Sequence, residues 1–130
     1  MEPLGRTRTL LGVRTTDLRE HCIKLIDKHY RDRRVGPAWL ARELFVSRRQ
    51  LDRAFVGCPS VTELIARRRL MLVVTIAAHN PDTPMSEIVR GCGYGTYETF
   101  RAQCHRYLGC SPRQAREDRS ARLRAFATAA

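Results

Sequence analysis

Arg48, Arg49, Asp52 and Arg53 stand together in the stretch SRRQLDRAF at residues 47–55. A guanidinium grips phosphate oxygens, or the O6 and N7 acceptors of guanine, through two parallel N–H donors. A carboxylate accepts from the N4 amino group of cytosine. Ser47 opens the stretch with an oxygen able to cap the free N–H groups of a following helix, and Gln50 sits where a capping box requires it. Leu51, Ala54 and Phe55 fall on one face at helical spacing. Arg49, Asp52 and Arg53 fall on the opposite face, with Arg48 at its N-terminal edge. The chemistry on offer is contact with base edges and phosphates.

A second set of such residues follows roughly one repeat of about 48 residues later. Glu98, Arg101, Ala102 and His105 lie opposite Phe100 and Cys104, with Tyr97 at the N-terminal edge. Thr96 is placed to cap this helix. Ser47 and Thr96 are also candidates for phosphate contact, as is Arg106. The first set is the richer for direct base contact, because an alanine occupies the middle of the second exposed face.

These side chains need elements to hold them. Leu40, Ala41 and Leu44 make the apolar side of a short helix before Ser47, so residues 40–55 read as two helices joined by a tight turn. A helix buried on one side and arginine-rich on the other, angled by a preceding helix, is the recognition half of a helix-turn-helix. Aligned with the second set, Leu40-Ala41 matches Ile88-Val89, Leu44 matches Cys92 and Val46 matches Tyr94. With Gly95 counted as an insertion, Ser47 matches Thr96, Leu51 matches Phe100 and Phe55 matches Cys104. This is a degenerate internal duplication.

The rest of the chain reads as support, giving an all-α protein of about seven helices. Residues 1–14 form a basic flexible arm. The first helix-turn-helix subdomain covers residues 15–60, beginning with a helix near Thr16 whose apolar set is Leu18, Cys22, Leu25, Ile26 and Tyr30. Trp39 is expected to pack against that helix, and Gly36-Pro37 to start the next one. Ser60 and Glu63 repeat the capping-box pattern and open a linker helix over residues 61–80, apolar almost all round in its second half. The second subdomain covers residues 81–119. Thr83-Pro84 is expected to cap a helix over residues 85–92, and a second helix over residues 97–108 ends at Gly109. Ser111, Pro112 and Gln114 start a last helix ending between Arg119 and Phe126, with residues 120–130 as a helical tail. Arginines 113, 116, 119, 122 and 124 lie along a phosphate backbone or in solvent.

Charge agrees with a polyanionic partner: 24 lysines and arginines against 13 acidic residues give +11, and each neutralised phosphate releases counterions. The longest oily run, residues 70–78, is about half of a membrane span. With no secretory signal, a cytoplasmic protein without membrane association is expected. The five cysteines show no CxxC pair, so reduced and mostly buried thiols are expected rather than a disulfide framework or zinc knuckle. No cofactor and no metal site is legible.

At residues 40–41, 46–55 and 66–70, and again at Ile88-Val89, Gly93-Tyr94, Phe100, Arg106, Gly109 and Ser111-Pro112, the chain resembles the AraC/XylS family of bacterial transcription regulators. The resemblance spans about residues 16–117. It implies two helix-turn-helix subdomains on a linker helix, binding to double-stranded DNA near a promoter, and contact with RNA polymerase that activates transcription. Carried over by position, it implies groove contacts from Arg48, Arg49, Asp52, Arg53, Tyr97, Glu98 and Arg101. The chain departs from the family pattern at Ala102, where an arginine is common, at Cys104, where phenylalanine is, and at Ala115, where an aromatic is. No small-molecule effector domain fits in the sequence, which implies control by abundance or by a regulatory protein partner.

Three other classes compete. Gln103-Cys104-His105-Arg106 is similar to the Cys-His-Arg run of suicidal DNA alkyltransferases, but Cys104 shares a face with Phe100 and is expected to be buried, so no catalysis is expected. A metal or redox sensor would need convergent ligands that Cys104, His105 and Cys110 do not supply. A protein-interaction module, or a nonspecific DNA binder, could use the same scaffold.

Overall fold

The computed structural model describes residues 15–118, and these form helices without strands. Helix α1 is Thr15–His29, α2 Pro37–Glu43, α3 Arg48–Ala54 and α4 Val61–His79. Helix α5 is Met85–Arg90, α6 is Tyr97–Gln103 with a π-helical continuation Cys104–Leu108, and α7 is Pro112–Glu117. The chain divides into two compact units. One comprises the described residues up to His29 together with Arg34–Leu64, and the other Tyr30–Arg33 together with the described residues from Ile65 onward.

The first unit is built on Leu18, Cys22 and Ile26 of α1, spaced four apart so that they share a stripe. With Leu40, Ala41, Leu51, Ala54 and Phe55, they are buried. Leu25 and Tyr30, expected in the same apolar set, are only half-buried. Trp39 meets the edge of the His29 ring, with centroids 5.4 Å apart, which places the tryptophan on α1 as expected. Arg19 of α1 donates to the carbonyl of Ala54 at 2.9 Å, satisfying an acceptor in the last turn of α3.

The second unit buries Leu70, Val73, Val74 and Ala77 of α4 against Ile88, Val89, Cys92, Tyr94, Phe100, Cys104, Leu108, Cys110 and Ala115. This explains why the second half of α4 lacks a polar stripe. Helix α4 runs unbroken for 19 residues, and Ser60 Oγ accepts from Glu63 N at 3.1 Å at its start.

Boundaries differ from the sequence expectation at four places. Pro84, not Thr83, is the N-cap of α5, and it has no side-chain cap. The Thr83 and Asn80 carbonyls instead accept from Arg116, whose half-buried side chain is held to the chain before α5. Helix α5 stops at Arg90, capped by Gly91, because Gly93 takes a left-handed conformation with φ 95° and turns the chain. Beyond Gln103 the helix widens into a π turn. Every fourth residue of an α-helix drifts about 40°; the wider turn keeps Leu108 on the buried face with Phe100 and Cys104. Helix α7 ends at Glu117, with Asp118 in an extended conformation. The basic arm, Arg119, Arg122 and Arg124, and the tail lie outside the described residues.

Candidate nucleic-acid interface

In the first unit the turn before the arginine-rich helix has a Schellman geometry. Val46 N donates to Ala41 O at 3.0 Å and Phe45 N to Arg42 O at 3.2 Å. Phe45 occupies the left-handed position that glycine normally fills, with φ 58°, and its side chain is 57 % exposed. The chain then enters α3 through a full capping box: Gln50 N donates to Ser47 Oγ at 3.0 Å, and Ser47 N donates to Gln50 Oε1 at 2.8 Å. Leu51 is fully buried and Ala54 nearly so, which fixes the opposite face outward. Arg48, Arg49, Asp52 and Arg53 are all exposed. Ser47 keeps a hydroxyl proton to donate while its lone pair caps the helix.

The second unit repeats this plan. Cys92 and Gly93 are buried and Gly93 is left-handed where Phe45 is. Thr96 caps α6 by accepting from Thr99 N at 3.2 Å, and its Oγ1 also lies 3.0 Å from Thr99 Oγ1. Phe100 is fully buried, as Leu51 is, and Cys104 takes the buried place of Phe55. Glu98, Arg101, Ala102, His105 and Arg106 are exposed. Glu98 and Arg101 pair with each other at 3.6 Å while both remain well exposed. Such a pair contributes little and opens readily to other partners. Tyr97 leans its ring edge-on against Phe100, centroids 5.5 Å apart. The Arg106 guanidinium lies 5.5 Å from the Tyr107 ring centre, and that of Arg67 lies 5.3 Å from the same ring.

Four anchoring residues were not singled out in the sequence as carrying the site. Arg19 holds the end of α3. Tyr94 donates to Gln103 Oε1 at 2.6 Å, tying the turn to α6. Arg69 donates to the carbonyls of Tyr30 at 2.8 Å and Asp32 at 3.0 Å. Each bond joins residues far apart in the chain or across a turn, so only the arginine-rich character of residues 66–70 hinted at one of them.

Three of the buried thiols, Cys22, Cys92 and Cys104, are poor nucleophiles in place. Burial pushes Cys104 up to about 12, with nearby Cys110 adding to the shift, and pushes Cys22 up to about 12 and Cys92 to about 11. Cys58 alone of the five is exposed. Among the described residues, no group of three or more His, Cys, Asp or Glu could hold a metal ion, and no helix is long and apolar enough to cross a membrane.

A family model described as a helix-turn-helix domain, of the AraC type, matches residues 40–118. No curated protein and no solved structure matches the chain. The match takes in α3, α4 and both α5 and α6, more than half of the chain. With two capped helices that each bury one face and expose charged side chains on the other, the chain belongs to the AraC-type helix-turn-helix family and is a DNA-binding transcription regulator.

Proposed function

We propose that this regulator activates transcription by reading an asymmetric promoter site with both helix pairs, α3 in one major groove and α6 in the next. The observation that carries the proposal is the pair of capped, half-buried helices with unlike exposed faces in one chain: arginines and an aspartate on α3, a Glu–Arg pair and a tyrosine on α6. Unlike faces call for unlike half-sites. Helix α4 has 19 residues, about 28 Å at the α-helical rise, against about 34 Å between successive grooves on one side of the duplex.

In this reading Arg48, Arg49, Asp52 and Arg53 contact bases from α3, and Tyr97, Glu98, Arg101 and His105 from α6. Ser47, Thr96 and Arg106 contact phosphates. The protein works by binding rather than catalysis, in the cytoplasm, and RNA polymerase is the partner through which it activates. A regulatory protein partner would supply control.

Arg49→Ala tests the assignment. Its loss is expected to relax selectivity at one block of the site by about 1–3 kcal/mol, while Arg106→Ala weakens all duplexes alike and lowers the salt slope by about one. Unchanged base preference in Arg49→Ala would show that the face is wrongly assigned. The exposed Ala102 in the middle of the second face favours a second reading, in which α6 supplies nonspecific or protein contacts. Equal affinity for random and selected duplex would support it.

A further inference from the structure

Helix α6 has a small apolar anchor. Its α-helical part is seven residues long with Phe100 as the one buried side chain, and Cys104 follows where a larger residue stands in the first repeat. Dispersion and burial are non-directional, so such an anchor holds a helix down without fixing its rotation about its own axis. Hydrogen bonds are directional. The Thr96 cap ties down only the first turn of α6, and the bond that connects its far end to the turn before it is Tyr94 Oη donating to Gln103 Oε1, at 2.6 Å.

Tyr94 is itself held on two sides. Its ring meets Phe100 edge-on at 5.5 Å, and the Arg69 guanidinium stands 6.0 Å from the ring centre. Arg69 is fixed by its bonds to the Tyr30 and Asp32 carbonyls. The absence of a side chain at Gly93 lets the Tyr30 carbonyl and Arg69 pass close to the turn.

We propose that Arg69, Tyr94 and Gln103 are positioning residues: a partly buried polar latch that sets the rotation of α6 and so determines which base edges Tyr97, Glu98 and Arg101 meet. This rests on the reading of α6 as a base-contacting helix. With side chains an α-helix is about 10–12 Å across, so a roll of roughly 10° moves its outer surface by about 1 Å. That is enough to take a contact out of the narrow distance range of a hydrogen bond. The Tyr94 hydroxyl is suited to the task, because burial pushes its ionisation well above the ordinary tyrosine range and keeps it a donor.

The test uses the full chain and a duplex selected by it, with base changes made separately in the block under α3 and in the block under α6. Tyr94→Phe keeps the ring and removes the bond from one end; Gln103→Met removes it from the other, at a half-exposed position. Each is expected to cut discrimination at the α6 block about tenfold, and to leave discrimination at the α3 block within twofold. The double variant should be no worse than either single. Discrimination at the α6 block within twofold of the unsubstituted protein in both single variants, or an equal fall at both blocks, would overturn the latch. If the unsubstituted protein itself shows no discrimination at the α6 block, the base-contacting reading of α6 fails, and the latch with it.

Discussion

Gly93→Ala is the substitution whose cost the structure specifies most closely. Gly93 has φ 95°, a conformation that costs an L side chain about 1–2 kcal/mol. A Cβ there would also collide with the Tyr30 carbonyl oxygen and would lie 2.6 Å from Arg69 Nε. The carbonyl belongs to the backbone and cannot swing aside. Relief therefore means separating Arg69 from the Tyr30 carbonyl, a charged hydrogen bond of about 1.5–3 kcal/mol. The sum is about 2.5–5 kcal/mol, a large part of the stability of a domain this size. Gly109→Ala is the matched control: it has φ 71° but nothing within 4 Å of its Cβ, so only the backbone penalty applies. Urea unfolding of the two variants, read as a shift in midpoint at unchanged slope, is expected to separate them by at least about 1.5 kcal/mol. Equal losses would refute the crowding at Gly93, and with it the claim that the Tyr30 carbonyl needs a glycine beside it.

Further outcomes follow from the same structure. Phe45→Asn should stabilise the first unit by up to about 1 kcal/mol, because asparagine tolerates the left-handed region and little buried area is lost; thermal melting would show it. Ser47→Ala and Ser111→Ala each remove a full capping box and should cost about 1 kcal/mol, with Ser47→Gly costing only a few tenths. A thiol reagent at neutral pH should modify Cys58 in the native protein and leave Cys22, Cys92 and Cys104 for the unfolded state, as peptide mass mapping would read. The same thiols set an alkaline limit. Below their ordinary value of 9.0 they are protonated in both states. Above it the unfolded chain ionises and the folded chain does not, so stability should fall with rising pH from about 9 until about 12.

Much of the candidate interface was legible because it depends on local rules. Ser47 with Gln50, Thr96, and Ser111 with Gln114 cap the helices they were expected to cap. Leu51 and Phe100 are each fully buried, as the repeat register requires. What was not legible depends on long-range contacts. Arg116 shares its spacing with arginines expected along a phosphate backbone or in solvent, yet it bonds carbonyls at Asn80 and Thr83, and no pattern within α7 encodes that. The π turn at Cys104–Leu108 answers to packing around Phe100, which spacing alone cannot show. Phe45 in a left-handed turn contradicts residue preference, since the Schellman bonds and the flanking helices impose the conformation.

Selection of bound duplexes from a random pool by the full chain, at stated salt concentration, tests most directly whether both helix pairs read sequence. A non-palindromic site with two blocks about one helical turn apart is expected, the block under Arg49 and Arg53 being the better defined. A single enriched block, a palindrome, or no enrichment over the starting pool would contradict it.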